Sequence, residues 1–388
     1  MNNPIDKIDE ILTRGVANII SDKDSLKKLL LSGKKLNIYF GVDPTATAIH
    51  LGNSVPLRKL QKFVELGHNI TFLIGDFTAL IGDTSDKDSE RPVLTYEQIQ
   101  ENFKTYKQQA EKILDFTNVK LVHNSEWLGK LNFTEIVKLC QHFSAGDFIS
   151  RELIRKRLDE GKRVGLHEVL YPVMQGFDSY HLNTDLQIGG TDQTYNMQAG
   201  RTLQKDMRNK ESFVLSTPFL MGTDGRKMSK SWGNAIWLTD SATDIFGKVM
   251  SIKDDLLLEY FTLATDVPLS EIPDLSKPME AKKQLANSIV SQLHSPEAAA
   301  KAQAEFEAVF QGRGVPEDIP SITISQPSKL SDLLLSAKLV ASNSEFKRLV
   351  SENGIKLNGE TISDPLIIIQ PFQKITVKVG KLRFLQIN

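Results

Sequence analysis

The sequence predicts an α/β protein whose first part is built on a parallel β-sheet. Short β-rich runs alternate with helical patterns from Leu36 onward, and several of these runs are apolar on both faces, as the strands of a buried parallel sheet are. Helical spacing links Leu57, Leu60 and Val64, and it occurs again over residues 97–114. Helices that alternate with strands in this way indicate βαβ units. The predicted strands cover residues 36–42, 69–76, 119–124 and 185–188.

A helical insertion interrupts this alternation at about residues 126–165. Within it, the spacing predicts one helix over residues 132–158. The basic segment of this helix is expected to form a solvent-facing side, and it consists of Arg151, Arg155, Lys156 and Arg157.

The character of the chain changes after Ser231. Residues 240–312 are rich in Ala, Leu, Glu and Lys and predict helices, and the glycines and prolines that follow predict a linker. Near the C-terminus we predict helices at 330–335 and 342–351, and Asn358-Gly359 is a strong turn signal between strands. We therefore divide the chain into three predicted domains: α/β with the helical insertion (1–231), helical (232–315) and small α+β (329–388).

The composition excludes several classes of protein. The chain has 388 residues, of which 40% are hydrophobic and 24% charged, and its net charge is −1, which argues against disorder and against a uniformly basic surface for nucleic acid. Cys140 is the single cysteine, so an intrachain disulfide is impossible and a cysteine-based zinc site is not expected. No apolar run suits a membrane span and residues 1–12 lack a signal-peptide pattern, so we expect a cytoplasmic protein with no membrane partner.

A first segment at a predicted strand-to-helix junction favours an anionic ligand. Residues 39–46 have the sequence Tyr-Phe-Gly-Val-Asp-Pro-Thr-Ala, and residues 50–53 are His-Leu-Gly-Asn. Backbone N–H groups and a helix N-terminus at the carboxyl end of a strand are suited to phosphate. His50 can donate a hydrogen bond to a phosphate oxygen, although a single histidine is more often structural.

A second segment, residues 222–231, has the sequence Gly-Thr-Asp-Gly-Arg-Lys-Met-Ser-Lys-Ser, and we call it the lysine loop. Lys227 and Lys230 lie in a glycine-flanked loop and can neutralise charge on a leaving pyrophosphate. The sequence contains neither a Walker A motif nor G-x-G-x-x-G, so the usual P-loop and dinucleotide-binding interpretations lack support.

A third cluster is predicted on one helix. Tyr171, Gln175 and Asp178 are spaced i, i+4 and i+7, so they share a face beside an apolar stripe. A carboxylate and an amide in that position suit a polar ligand inside a largely apolar pocket, while a solvent-facing polar stripe is the simpler alternative.

Two more clusters follow predicted strands. Residues 186–193 end in Gly189-Gly190-Thr191-Asp192-Gln193, where Asp192 can accept from ribose hydroxyls and Gln193 can donate to a carboxylate. After residues 69–76, Asp83 is placed to hold an ammonium group, and the chain then supplies Lys87 and Arg91 for phosphates.

Together these motifs resemble those of class I aminoacyl-tRNA synthetases, and more narrowly those of bacterial-type tyrosyl-tRNA synthetases. Residues 50–53 are similar to the HIGH motif of that class, and residues 227–231 match its KMSKS motif. The tyrosine-specific resemblance rests on five stretches: Tyr39, residues 41–46, residues 81–83, Tyr171-Pro172-x-x-Gln175-x-x-Asp178 and residues 189–193. The family resemblance covers nearly the whole chain. It implies a Rossmann-like catalytic domain, a helical anticodon-side domain and an S4-like RNA-binding domain.

The resemblance implies tyrosine–tRNA ligation. Tyrosine attacks the α-phosphate of ATP to give tyrosyl-adenylate and pyrophosphate, and the tyrosyl group then passes to the 3′-terminal adenosine of tRNA(Tyr). Magnesium accompanies ATP, and no metal held by protein ligands is expected. The chain is expected to be a homodimer.

The resemblance also implies a role for each matching position. The tyrosine substrate is bound at its phenol by Tyr39 and Asp178, at its amino group by Asp83, Tyr171 and Gln175, and near its carboxylate by Gln193. ATP is bound by Gly41, Asp43, His50, Gly52, Gly190, Asp192, Lys227, Met228 and Lys230. Catalysis at the phosphates falls to Thr45, His50, Asn53, Lys87, Arg91, Lys227 and Lys230.

The C-terminal domain is expected to bind RNA. Residues 329–388 contain nine Lys or Arg and five Asp or Glu, a net charge of +4, which leaves −5 for the rest of the chain. The expected phosphate contacts are Lys338, Lys347, Arg348 and Lys356.

Three positions depart from the family pattern. Asn53 replaces the second histidine of HIGH, and it keeps a hydrogen-bond donor but cannot carry a charge. Thr191 stands where serine is commonest, and Thr194 stands where many relatives have tryptophan.

Two other functions remain open from the sequence. The first is the same fold with tryptophan as substrate. The pair of Tyr39 and Asp178 argues against this alternative, because an indole N–H needs only a hydrogen-bond acceptor. The second is a synthetase-derived protein that binds RNA or assists splicing without catalysis. The intact Lys227 and Lys230 argue against that loss.

Overall fold

The structure is a computed structural model that describes residues 4–45, 47–83, 95–310, 319–371, 374–380 and 383–388. It divides into two compact units, Met1–Pro296 and Glu297–Asn388. The first unit is an α/β structure and the second is a small α+β structure, so the predicted fold class is confirmed.

A six-stranded sheet forms the centre of the first unit. Its strands are β1 (Asn18–Ile20), β2 (Asn37–Val42), β3 (Asn69–Ile74), β4 (Val119–His123), β5 (Leu186–Gly190) and β6 (Phe213–Thr217). The order is β1-β6-β5-β2-β3-β4, and all neighbours are parallel except β1, which is antiparallel to β6. The chain runs outward from β2 through β3 to β4, and then returns to β5 on the other side of β2. This switch point between β2 and β5 is where open α/β sheets bind ligands.

The four strands predicted from sequence are confirmed as β2, β3, β4 and β5. The other two strands of this sheet, β1 and β6, were not predicted. β6 is buried along its whole length, but Ser216 and Thr217 obscure its apolar character. β1 has only three residues, too few for a periodicity to be visible.

Fourteen helices lie wholly within the described part of the first unit. They are α1 (Pro4–Ile11), α2 (Lys23–Leu31), α3 (Ser54–Glu65), α4 (Thr78–Ile81), α5 (Tyr96–Ala110), α6 (Ser125–Leu128), α7 (Phe133–Cys140), α8 (Ala145–Ile149), α9 (Glu152–Asp159), α10 (Leu166–His181), α11 (Thr194–Arg208), α12 (Ala242–Met250), α13 (Leu257–Ala264) and α14 (Pro278–Leu293). A further helix, α15 (Pro296–Phe310), begins at the last residue of this unit.

The prediction of one helix over residues 132–158 is wrong, because the segment forms α7, α8 and α9. The backbone is extended at Ser144 and again at Arg151, and these two residues precede α8 and α9. Ser144 and Gly146 at the first break, and Ser150 at the second, disfavour a helix interior, so three short helices replace the continuous one.

The expectation of a solvent-facing basic segment is correct for Arg155 and Lys156 but wrong for Arg157, and Arg151 is half-buried. The guanidinium of Arg157 is 2% exposed and donates to both carboxylate oxygens of Glu168, at 2.6 and 3.1 Å. Glu168 also accepts from the backbone N–H of Gly165 at 2.9 Å. This buried ion pair fastens α9 to the first turn of α10, the helix that carries Tyr171.

Two cations link the N-terminal segment to the rest of the first unit. Lys59 on α3 is buried, and its ammonium group donates to the carbonyls of Ile11 and Arg14, each at 2.6 Å. Burial lowers the pKa of Lys59 to about 7. Arg14 in turn donates to the carbonyls of Phe261 and Thr265 at the end of α13, both at 2.8 Å. Cations at helix C-termini satisfy carbonyls that lack partners within the helix.

The second unit packs two short helices against a small sheet. After α15 its elements are β7 (Ser321–Ile322), β8 (Ser328–Lys329), α16 (Leu330–Ser336), α17 (Asn343–Ser351), β9 (Ile355–Leu357), β10 (Glu360–Thr361), β11 (Ile368–Ile369), β12 (Ile375–Val379) and β13 (Arg383–Ile387). The sheet order is β10-β9-β12-β13-β7, and β8 pairs with β11. Asn358 and Gly359 have φ of +47° and +93°, so the predicted turn between β9 and β10 is confirmed.

Candidate active site

A cavity of about 860 Å³ opens at the carboxyl ends of β2 and β5. Every described residue that the sequence analysis assigned to tyrosine, ATP or catalysis lines it. These residues are Tyr39, Gly41, Asp43, Thr45, His50, Gly52, Asn53, Asp83, Tyr171, Gln175, Asp178, Gly190, Asp192, Gln193, Lys227, Met228 and Lys230. Two predicted site residues, Lys87 and Arg91, lie outside the described residues, as does Ala46.

One end of the cavity contains a buried phenol and a buried carboxyl group. The Tyr39 hydroxyl donates to Oε1 of Gln187 at 3.2 Å. Burial, and then the neighbouring carboxyl of Asp178, raise the pKa of Tyr39 well above its ordinary value. Burial also raises the pKa of Asp178, to about 8, although hydrogen bonds from Asn124 and Trp127 oppose that shift. This carboxyl therefore changes its protonation near neutral pH.

Donors from two neighbouring elements hold Asp178. The indole Nε1–H of Trp127 on α6 donates to one carboxyl oxygen at 2.7 Å, and the amide of Asn124 donates to the other at 3.1 Å. Asn124 also donates to the hydroxyl of Thr78 at 3.0 Å. The carboxyl is thus oriented from behind by residues at the carboxyl ends of β3 and β4.

Asp43, just after β2, links two further elements. It accepts from the Tyr171 hydroxyl at 2.8 Å and from the Thr78 hydroxyl at 2.7 Å. Burial, followed by the charges of Asp43 and Asp83, raises the pKa of Tyr171 well above its ordinary value. Gly75 makes this arrangement possible, because a Cβ at that position would overlap the side chains of Asp43 and Thr78.

Asp83 and Gln193 meet directly. Asp83 follows α4 and accepts from the Gln193 amide at 2.7 Å. Gln193 lies in the short 3₁₀ turn after β5, and Asp83 lies in the segment after β3 and α4. This hydrogen bond therefore joins segments that follow two different strands of the sheet. Two residues that sequence analysis gave to the amino group and the carboxylate of a substrate are therefore side by side.

The opposite end of the cavity is formed by residues 50–53 and the lysine loop. His50 and Asn53 make a reciprocal pair, in which Nδ1 of His50 accepts from the Asn53 backbone N–H at 3.2 Å and Oδ1 of Asn53 accepts from the His50 N–H at 3.3 Å. Burial, followed by the charge of Lys227, lowers the pKa of His50 to about 4. With Nδ1 acting as acceptor in a neutral ring, the hydrogen is assigned to Nε2, which is left as a donor.

The lysine loop lines the cavity from Lys227 to Ser231. The ammonium group of Lys227 lies 4.0 Å from the centre of the Phe219 ring. Such a position is favourable for a cation because the face of an aromatic ring is electronegative. Met228 is buried, so the two lysines project from a backbone that is anchored between them.

Sequence analysis missed several residues that shape the site. Asn124 and Trp127 hold Asp178, Gln187 accepts from Tyr39, and Thr78 bonds Asp43. Asn124 and Thr78 could have been found, since Asn124 ends one predicted strand of a parallel sheet and Thr78 comes shortly after another. Trp127 lacked a comparable signal, because its pattern is that of an ordinary core residue.

No helix among the described residues has both the length and the apolar character needed to cross a membrane. Within the same residues, no group of three or more His, Cys, Asp or Glu side chains is arranged to hold a metal ion.

Comparison with known proteins gives a consistent result. The family model for class I tRNA synthetases (W and Y) matches residues 31–311. The chain is 43% identical to a tyrosine–tRNA ligase of Carboxydothermus hydrogenoformans over 99% of each chain, and 42% identical to one of Desulfotalea psychrophila over 97% of each.

Solved structures share the fold. A truncated mitochondrial tyrosyl-tRNA synthetase of Aspergillus nidulans superposes with a TM-score of 0.65 and 23% identity, covering 78% of this chain and 94% of the other. The tyrosyl-tRNA synthetase of Archaeoglobus fulgidus complexed with L-tyrosine gives 0.61 and 23% identity, covering 77% and 99%.

Proposed function

The chain belongs to the class I tRNA synthetases for tryptophan and tyrosine, its activity is tyrosine–tRNA ligation, and we propose that the cavity described above performs both steps of that reaction. In the first step the carboxylate of L-tyrosine attacks the α-phosphate of ATP, which gives tyrosyl-adenylate and releases pyrophosphate. In the second, a ribose hydroxyl of the 3′-terminal adenosine of tRNA(Tyr) takes the tyrosyl group from the adenylate, and AMP is released. The observation that carries the proposal is that every described residue assigned to tyrosine, ATP or catalysis lines one cavity.

The phenol of the substrate binds between Tyr39 and Asp178. Both groups are buried, and Trp127 holds the Asp178 carboxyl in place. A phenol can donate to one of these groups and accept from the other, whereas phenylalanine would leave both without a partner. Buried polar groups without partners are costly, so this end of the cavity selects for the hydroxyl.

The amino group binds to Asp83, Tyr171 and Gln175, and the carboxylate lies near Gln193. The bond between Asp83 and Gln193 supports this arrangement, since an entering ammonium group can replace the amide as the partner of Asp83. Gln193 is then available to the substrate carboxylate. Such placement holds the nucleophilic oxygen close to the α-phosphate, which is the main requirement for a reaction without a covalent enzyme intermediate.

ATP occupies the remaining part of the cavity, and Mg²⁺ enters the cavity together with ATP. The ribose is held by Gly190 and Asp192, and the nucleotide also contacts Gly41, Asp43, Gly52 and Met228. Charge on the phosphates is stabilised by Thr45, His50, Asn53, Lys87, Arg91, Lys227 and Lys230. The low pKa of His50 makes it a neutral donor, so the lysines and Arg91 supply the positive charge.

The test is ATP–pyrophosphate exchange with tyrosine, phenylalanine and tryptophan in parallel, each with Mg²⁺. We expect exchange with tyrosine alone. Exchange with tryptophan would overturn the roles of Tyr39 and Asp178, and no exchange with any of the three would leave an RNA-binding protein without catalysis. Lys227→Ala is the matched negative control, because it removes a phosphate-binding charge from the cavity.

We propose that the chain forms a homodimer through the segment that contains α7, α8 and α9. Large apolar side chains are exposed there and at the start of α10, among them Phe133 of α7 at 80% and Leu166 of α10 at 73%. Exposed apolar groups concentrated in one segment are typical of a protein interface. Phe133→Glu with Leu166→Glu should give a monomer by light scattering, whereas Leu366→Glu, an equally exposed site in the second unit, should leave the dimer intact.

We propose that the segment 232–315 acts as the anticodon-side domain and that residues 329–388 bind RNA. The second proposal is supported by the net charge of +4 and by the exposure of Lys338, Lys347, Arg348 and Lys356. Since the work of the chain is to supply translation with charged tRNA, we also propose a cytoplasmic location.

The salt dependence of tRNA(Tyr) binding tests the RNA contacts. Lys338→Ala and Lys347→Ala should each reduce the slope of log K against log salt by about one. Arg348→Ala should reduce it less, because Arg348 is paired with Glu352 at 2.9 Å. Lys28→Ala, an exposed change in the first unit, is the control. Binding whose affinity does not fall with salt would contradict the proposal.

A further inference from the structure

The lysine loop is organised around one buried amide, that of Asn234. Its side chain is 3% exposed and lies just beyond the C-terminal end of the loop. Oδ1 of Asn234 accepts from the Ser229 backbone N–H at 2.9 Å, and Nδ2 donates to Oδ1 of Asp224 at 2.8 Å and to the Lys227 carbonyl at 3.2 Å. A single side chain therefore contacts the beginning, the middle and the end of the loop.

The close approach of Gly222 shows how tightly the loop closes on this amide. A Cβ at Gly222 would overlap the side-chain amide of Asn234, so only glycine fits without a shift. The Asn234 carbonyl also accepts from the Thr223 N–H at 3.1 Å. Asn234 is thus bonded to the loop through both its backbone and its side chain.

The residue before the loop is fixed separately, by α13. Glu259 accepts from the Met221 N–H at 2.8 Å, and the Tyr260 hydroxyl donates to the Met221 carbonyl at 2.7 Å. The start of the loop is therefore held by a helix of the first unit. Beyond Met221 the loop has a backbone bond of its own, from the Gly222 N–H to the Arg226 carbonyl at 2.7 Å, and Asn234 is the side chain that ties its separate parts together.

We propose that Asn234 is the positioning residue of the lysine loop, which fixes the backbone from which Lys227 and Lys230 reach the phosphates of ATP. The inference rests on the proposed function, because it assigns a role within that phosphate site. Asn234 does not line the cavity, so it acts through the lysines rather than on the substrate. Its effect is preorganisation: a loop already ordered loses less conformational freedom when it binds the triphosphate.

The experiment compares steady-state ATP–pyrophosphate exchange for the full-length wild type and Asn234→Ala. We expect kcat/KM for ATP to fall about tenfold or more, since several bonds to the loop are lost, one of them to a charged group. KM for tyrosine should stay unchanged. Trypsin should cleave the ligand-free variant faster after Arg226, Lys227 and Lys230, as read by mass spectrometry.

A swapped pair tests the contact itself. Asn234→Asp keeps the acceptor for Ser229 but places a second carboxylate against Asp224, so it should lose activity as Asn234→Ala does. Asp224→Asn added to Asn234→Asp restores a donor and an acceptor between the two positions, and it should recover part of kcat/KM for ATP. Recovery in the double variant would show that the contact between positions 224 and 234 sets the ATP parameters, whereas no recovery would contradict the inference.

Ser241→Ala is the stability control. Ser241 caps α12 by accepting from the Asp244 N–H at 3.1 Å, and in the described part of the chain it does not bond to the lysine loop. Its loss should lower the melting temperature but leave the ATP parameters unchanged. If the wild type exchanges normally and Asn234→Ala behaves as Ser241→Ala does, the inference is wrong while the proposed function stands. If the wild type shows no tyrosine-dependent exchange, the proposed function itself fails.

Discussion

Trp127 donates its indole N–H to the buried carboxyl of Asp178 at 2.7 Å, across 51 positions of sequence. The same indole stacks on the ring of His181, with 4.3 Å between the ring centres. Asp178 and His181 are one turn apart on α10, so two contacts fasten α6 to α10. The orientation of the carboxyl at the phenol end of the cavity therefore depends on a tryptophan that does not line the cavity.

The first prediction concerns this tryptophan. Trp127→Phe keeps an aromatic ring against His181 but removes the donor to Asp178. A hydrogen bond to a charged or partly charged group contributes about 1.5–3 kcal/mol, so KM for tyrosine in pyrophosphate exchange should rise about tenfold. KM for ATP should stay unchanged, because the phosphate end of the cavity is untouched. An equal rise in both constants would show that Trp127 supports the whole cavity rather than Asp178.

The second prediction concerns the pH dependence of stability. The pKa of Asp178 is raised from 3.8 to about 8, so between these values the folded chain keeps a proton that the unfolded chain releases. The free energy of unfolding contributed by this group is therefore highest at acidic pH and is lost as pH rises towards 8. Asp178→Asn removes that dependence.

Thermal unfolding checks the direction in which the free energy of unfolding changes with pH. The melting temperature of the wild type, relative to that of Asp178→Asn, should fall steadily as the pH is raised from about 5 to about 8. A difference between the two proteins that does not change with pH, or that changes in the opposite direction, would mean that Asp178 is ionised throughout this range.

The third prediction concerns His50 as a neutral donor. Because its pKa is lowered to about 4, the charge of His50 should not change over the pH range in which exchange is measured. His50→Gln retains a side-chain N–H and should keep more activity than His50→Ala, by about tenfold for a bond to a charged phosphate. A decline in wild-type kcat with a midpoint near the ordinary histidine pKa of 6.5, absent from His50→Gln, would contradict this role.

The fourth prediction concerns the buried pair of Arg157 and Glu168. Arg157→Met leaves a carboxylate buried without its cation, and removing one member of such a pair costs about 3–5 kcal/mol of unfolding free energy. Adding Glu168→Gln removes the charge but keeps an acceptor for the Gly165 N–H. The double variant should therefore be more stable than Arg157→Met alone in urea unfolding. Additive losses would show that the pair does not interact in the folded protein.

The sequence was most informative where function depends on local chemistry. Strands β2 and β3 were predictable because a buried parallel strand is apolar on both faces. The residues after the predicted strands could be grouped into one site, since carboxyl ends of neighbouring parallel strands meet at one edge of the sheet. In the structure, Tyr39, Asp83 and Gln193 do line one cavity.

The sequence was least informative where neighbouring segments compete. The spacing over residues 132–158 suited one helix, but the chain forms three, each of which buries one apolar side chain: Leu139, Phe148 and Ile154. Arg157 belongs to a basic run that suggests solvent exposure, yet it is buried on Glu168. The pattern of charges along the chain does not reveal which carboxylate the fold will place against a given arginine.

The amino-acid sequence by itself determined the fold class, the family and the residue types that line the cavity. The tertiary structure decided which groups are partners: Trp127 with Asp178, Asp83 with Gln193, and Asn234 with the lysine loop. The physical reason is the range of the interactions. Strand and helix patterns follow from neighbours along the chain, whereas the partner and the pKa of a buried polar group depend on the distant segment that packs against it.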